Sequence, residues 1–208
     1  MRSFEPMRLG MMARPFDHPE WLFEIKLDGF RALAYVSATG VILVSRKGHV
    51  YRSFGTLGAE IRRSVRANEA VLDGEIVCLD DSGRPTFTPL LHRRGVASFH
   101  AFDVLWLDGK DLRERPLSMR KRVLRYVLRR QSARVGYVDH VAGCGKALFD
   151  LVRAHDMEGI VAKWKDGPYR GRRPSSWVKI KNRDYSQARD RHELFASRRT
   201  STSPITPG

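Results

Sequence analysis

The chain has 208 residues, 42% of them hydrophobic, which is enough for one good core, argues against disorder throughout, and fits one domain better than two. Lysine and arginine number 38 against 23 acidic residues, and a formal charge of +15 favours a polyanionic partner. The two cysteines have no CxxC or His/Cys spacing suited to zinc, no run reaches membrane-spanning length, and the amino terminus lacks a signal peptide's apolar stretch. These absences point to a soluble cytoplasmic protein with reduced, structural thiols.

The first twenty residues hold three prolines and little periodicity, so residues 1–20 are expected to be an extended lead-in, with order beginning near Trp21. From Trp21 to Gly48 the pattern predicts two or three antiparallel strands with corners at Gly29 and at Ala38-Thr39-Gly40. Leu57, Ile61 and Val65 recur at helical spacing, and Val71 to Leu79 followed by Asp80-Asp81-Ser82-Gly83 predicts another hairpin. Phe99 to Leu107 reads as a strand. Ser118 is placed to cap a helix reaching Arg130, with Val123, Leu124, Val127 and Leu128 inside.

The basic residues of that helix, among them Arg120, Lys121, Arg122 and Arg125, are expected to form a solvated face rather than a DNA-contacting one. A further helix at 146–155 leads to strands at Gly159 to Lys163 and Trp177 to Lys181, and a short helix around Gln187 to Phe195 precedes a disordered tail. Strands and helices mix without regular alternation, which gives an α+β fold.

Within Phe23-Glu24-Ile25-Lys26-Leu27-Asp28-Gly29, strand geometry puts Glu24, Lys26 and Asp28 on one face and the apolar residues on the other. Trp177-Val178-Lys179-Ile180-Lys181 repeats the arrangement, and two ammonium groups on one face suit a phosphate. Asp73-Gly74-Glu75, Phe102-Asp103 and Glu158 to Lys163 set acids or an aromatic at the edges of apolar runs, and acids near lysines suit a divalent metal. An ordinary half-exposed strand with surface ion pairs explains the first segment alone equally well.

Taken together these segments resemble a known superfamily. Lys26-Leu27-Asp28-Gly29-Phe30-Arg31 is similar to the KxDGxR signature of covalent nucleotidyltransferases, which include ATP-dependent DNA ligases, RNA ligases and messenger-RNA capping enzymes. Five further segments follow in that family's order: Ser45-Arg46-Lys47-Gly48, Asp73-Gly74-Glu75, Ala101 to Leu105, Glu158 to Lys163 and Trp177 to Lys181. The resemblance covers about Met7 to Asn182 and is strongest to the ligase modules of bacterial end-joining enzymes.

It implies an ATP-grasp-like nucleotidyltransferase domain of antiparallel sheets flanked by helices, over residues 21–182, with a short basic extension at 183–208. By resemblance, Lys26 attacks the α-phosphorus of ATP, Glu24 reads the adenine edge, Phe102 stacks on the ring and Val161 packs its opposite face. Glu75 holds ribose and, with Glu158, a metal; Arg31 and Arg46 reach ribose or the nick's phosphate. Lys179 and Lys181 grip the α-phosphate, and Asp28 orients the nick in later steps. Chemically a lysine suits the first role, since an amine attacks only when neutral and arginine stays protonated.

The implied cofactors are ATP and Mg²⁺, with Mn²⁺ as substitute, and the implied partner is nicked or broken duplex DNA met by a monomer in the bacterial cytoplasm, near the nucleoid. Two departures stand out. Lys47 replaces the family's asparagine, and the 26 residues after Asn182 are too few for the OB-fold that normally follows, so an OB-fold or end-joining partner is expected. Competing readings are an RNA ligase or end-repair enzyme, and a non-catalytic module that binds DNA ends for a partner ligase; an intact Lys26 speaks against the latter.

Overall fold

The computed structural model describes residues 3–92, 94–128, 132–171 and 175–188. In chain order the elements are β1 (Gly10–Met11), β2 (His18–Ile25), β3 (Phe30–Ser37), β4 (Gly40–Ser45), α1 (Gly55–Ser64), β5 (Ala70–Leu79), β6 (Pro85–Thr86), α2 (Phe87–Leu91), β7 (Ala97–Leu107) and β8 (Lys110–Asp111). They continue with α3 (Leu117–Val127), β9 (Val135–Tyr137), β10 (His140–Gly143), α4 (Gly145–Ala154), β11 (Gly159–Trp164) and β12 (Trp177–Lys181).

The strands form two sheets. One has the order β1-β12-β11-β2-β10; the other runs β4-β3-β5-β7-β8, with β6 on β5 and β9 on β7. In the first sheet, Phe23, Ile160, Ala162 and Ile180 point to one side and bury against Phe149 and Val152 of α4. In the second, Ala32, Ala34, Leu72, Ile76, Phe99 and Val104 bury against Leu57 and Ile61 of α1 and Leu124 and Val127 of α3. Each sheet therefore covers its apolar side with helices, as α+β packing requires. The remaining sides face one another around a smaller core of Leu22, Leu33, Tyr35, Val71, Leu105 and Trp177.

The α+β expectation with helix-flanked antiparallel sheets holds, with two parallel pairings added, β1 on β12 and β7 on β9. Order begins before Trp21: Phe4 and Met7 are buried in the inter-sheet core, and Gly10 and Met11 register with Val178 and Lys179. A proline-rich segment lacks periodicity because its pairing partner lies far along the chain. Gly29 is not the corner of a hairpin. There the chain crosses from the first sheet to the second, and a Cβ would stand 2.1 Å from the Ile76 carbonyl oxygen, so only glycine fits.

The expected cap at Ser118 is also corrected. The residue preceding α3 is Pro116, and Ser118 lies inside the first turn, its N–H donating to the Lys165 carbonyl at 2.8 Å. Arg120 and Lys121, expected on a solvated face, are 0% and 2% exposed, whereas Arg122 and Arg125 are exposed as expected. That helix ends at Val127 with Leu128 as its C-cap, short of the expected Arg130, and Arg130 itself, most of the helix at Gln187 to Phe195 and the tail lie outside the described residues. Cys78 is buried and Cys144 exposed, both free. Among the described residues no helix is long and apolar enough to cross a membrane.

Candidate active site

Period-two alternation turns the charged residues of the first sheet toward the second. Register places Glu24 beside Val161 and Val161 beside Lys179, so these three share a row on the inner side. One step along, Lys26 N–H donates to the Gly159 carbonyl at 2.9 Å and Gly159 pairs with Lys181. Gly159 has φ +147° and a Cβ there would come within 2.2 Å of the Ile180 carbonyl oxygen. A side chain is thus excluded where the strands close beneath Lys26.

Across the cleft, β3 and β5 set Arg31 opposite Glu75, and β5 and β7 set Asp73 opposite Asp103. Phe102 stands on the same strand, its ring edge-on to Trp177 with centroids 5.9 Å apart. The structure thus draws onto the walls of one cleft residues that are up to 157 positions apart in sequence, from Glu24 to Lys181.

Lys26 donates to Glu158 Oε2 at 2.5 Å, and Lys181 lies 3.8 Å from Glu158 Oε1. Burial pushes the Lys179 ammonium down, and Lys181, Lys26 and Arg46 push it the same way against Glu158. Four cations therefore gather at this corner, as an anion site requires. Burial also drives the Glu75 carboxyl up to about 8, with Asp73 and Glu158 adding to the effect and Lys26 and Arg31 opposing it. Arg46, after β4, is exposed.

Two expected residues already have partners. Glu24 is buried between Lys121 and Lys163, each ammonium 2.6 Å from one of its oxygens. Burial works to raise its carboxyl, but the two lysines outweigh it and hold the group below the usual range. Lys163 is pushed down to about 8, chiefly by burial, and its ammonium sits 4.3 Å from the centre of the Phe102 ring. Arg31 grips Asp73 with two nitrogens, at 3.0 and 2.7 Å, and donates to the Met7 carbonyl at 2.6 Å. Tyr169 adds a third donor to Asp73 at 2.6 Å.

Lys26, Asp28 and Glu158 line a cavity of about 200 Å³ together with Arg84, Asp156 and Tyr185. Asp28 is buried, and the Tyr185 hydroxyl donates to its Oδ2 at 3.2 Å. Ten of the eleven residues singled out in the sequence thus lie on or beside the cleft; the eleventh, Arg46, is exposed and reaches it electrostatically.

Sequence reasoning gave no role to Lys121, Lys163, Tyr169 or Tyr185. Two carried a signal. Lys163 is two residues from Val161 and so shares its strand face, and Lys121 lies between Leu117 and Leu124 on the helix's apolar stripe. Tyr169 and Tyr185 sit in irregular segments without periodicity.

Chemically the cleft offers a lysine amine in contact with a carboxylate, flanking ammonium groups for a phosphate, an aromatic face and a shielded acid. That combination suits covalent transfer of a nucleotidyl group. Residues 9–181 match the family described as ATP dependent DNA ligase domain. The multifunctional non-homologous end joining protein LigD of Mycolicibacterium smegmatis is 36% identical over 188 residues, 86% of this chain but 24% of that protein, so the chain spans about a quarter of it. The SPbeta prophage-derived DNA ligase-like protein LigB of Bacillus subtilis is 30% identical over 88% of this chain and 68% of its own length. A solved structure described as mycobacterial DNA ligase D complexed with ATP and MES superposes with a TM-score of 0.73 at 32% identity, covering 85% of this chain and 60% of that one. With the family's model matched over most of its length, the chain belongs to the ATP-dependent DNA ligase domain family.

Proposed function

We propose that this chain takes AMP from ATP onto Lys26, passes it to the 5′-phosphate of a nicked DNA strand and seals the nick. The observation that carries the reading is Lys26, in contact with Glu158 and flanked by Lys179 and Lys181.

In the first step the Lys26 nitrogen bonds to the α-phosphorus, the bond to the pyrophosphate oxygen breaks, and pyrophosphate leaves with the electron pair. The proton that the amine must shed has an acceptor in place, Glu158 Oε2 at 2.5 Å. Lys179 and Lys181 offset charge on the α-phosphate oxygens as it builds. In the second step a 5′-phosphate oxygen attacks the same phosphorus, and the amine departs and regains its proton. A 3′-hydroxyl then attacks the 5′-phosphorus, loses its proton and expels AMP.

Around the base, Phe102 and Val161 offer apolar faces, and Glu24, fixed by Lys121 and Lys163, offers an acceptor to an exocyclic amine. The donor set fits Mg²⁺: Glu75 and Glu158 are near enough for their charges to oppose one another. Mg²⁺ is ordinarily held by one or two carboxylates plus substrate phosphates. Glu75 and Glu158 would hold it, and it would supply charge neutralisation of the triphosphate.

Incubation with labelled ATP and Mg²⁺, followed by nicked DNA or nicked RNA, tests the reading. The expected sequence is label on protein, then on DNA, then joined DNA. Transfer to nicked RNA alone would support the RNA ligase reading instead, and DNA binding without label on the protein would leave an end-binding module.

A further inference from the structure

The segment after β12 turns back over the cavity beside Lys26. Its start is fixed where Asn182 N–H donates to the Glu158 carbonyl at 2.9 Å and Asn182 Nδ2 to the Met157 carbonyl at 3.1 Å. Ser186 donates to Asp156 twice, from N–H at 2.9 Å and from Oγ at 2.5 Å. Asp156 has φ +49°, a left-handed turn that leads the chain toward Glu158. Gln187 spans to the β5–β6 hairpin where β6 runs into α2: it accepts from Phe87 N–H at 3.1 Å and donates to the Pro85 carbonyl at 3.3 Å.

Between these anchors Tyr185 is buried to 5% exposure. Its hydroxyl meets Asp28 Oδ2. The ring and the carboxylate line the same cavity as Lys26.

We propose that Tyr185 is a positioning residue: held by the anchors on Asp156, Pro85 and Phe87, it fixes the Asp28 carboxylate beside Lys26 for the joining step. Three points carry this. The hydroxyl is a directional donor to a buried acid, so it selects one carboxylate orientation where apolar packing would not. The segment that supplies it is tied to both walls of the cavity, the turn before Glu158 and the hairpin opposite, so the hydroxyl's position registers the spacing of those walls. Burial pushes the Tyr185 phenol up, and the Asp28 charge pushes it further, so it remains a donor across the working pH range. The inference rests on the nucleotidyl-transfer reading, in which Asp28 acts after AMP has left Lys26.

The test measures two single-turnover rates, AMP loading of Lys26 from ATP and sealing of a pre-adenylated nick, in the wild-type chain, Tyr185→Phe, Asp28→Asn and the double variant. Tyr185→Phe keeps the ring, and its thermal unfolding midpoint reports any loss of fold. Sealing is expected to fall about tenfold more than loading in Tyr185→Phe, the scale of one hydrogen bond to a charged group. The double variant is expected to seal no more slowly than Asp28→Asn, because Tyr185 acts through that carboxylate. Additive losses in the double variant, or an unchanged ratio of sealing to loading in Tyr185→Phe, would overturn the proposal. A wild-type chain that neither loads AMP nor seals would overturn the underlying reading and the inference with it.

Discussion

Glu75 carries a carboxyl that burial raises from 4.5 to about 8, and this has a consequence for stability. Between those values the folded chain binds more protons than the unfolded one, so Glu75 contributes stability that is lost as pH rises from 4.5 through about 8. Glu75→Gln, which cannot ionise, is expected to flatten that loss, and thermal midpoints of both proteins across the interval check it. Parallel curves would mean that Glu75 is paired in a way its surroundings do not suggest. If Glu75 also meets a metal, Glu75→Gln should raise the Mg²⁺ concentration needed for half-maximal AMP loading. An unchanged requirement would remove Glu75 from the metal site.

At the scale of elements, α3 shows what periodicity conveys and what it hides. Leu124, Val127 and Leu128 are buried as expected, yet the same helix carries Arg120 and Lys121 inward. A charge in a basic run reads as solvated unless its acid is known, and those acids, Asp103 and Glu24, lie on strands remote in sequence. Removing one partner of a fully buried pair strands the other charge. Arg120→Met is therefore expected to cost about 3 kcal/mol in denaturant unfolding, the low end for breaking such pairs, and Lys121→Met less, because Glu24 keeps Lys163 at 2.6 Å. Arg125, whose pair with Asp139 is 64% and 83% exposed, is expected to tolerate alanine without measurable loss. A small loss at Arg120 would mean that Asp103 relaxes to other donors. The strands of the site were more legible: alternation in Phe23 to Ile25 and Trp177 to Lys181 assigns the same faces that the sheet uses.

For the whole molecule, what one sequence conceals is the division into two sheets. Gly29 looks like a turn, whereas it is the crossing that sets Lys26 on one wall and Arg31 on the other. Lead-in residues look unstructured because Phe4 and Met7 bury against Tyr35, Tyr169 and Trp177, none of them near in sequence. The +15 charge belongs to this scale as well. On the proposed reading, affinity for nicked duplex is expected to fall steeply with salt, since phosphate contacts release counterions. A titration at several salt concentrations that gave a flat line would detach the charge from DNA binding.

Peptide mapping after incubation with ATP and Mg²⁺ is the most direct test of nucleotidyl transfer through Lys26. The expected result is a single acid-labile AMP on the peptide containing Lys26, absent from a Lys26→Ala variant that keeps its folded spectrum. AMP on another residue, or a folded wild-type chain that takes none, would contradict it.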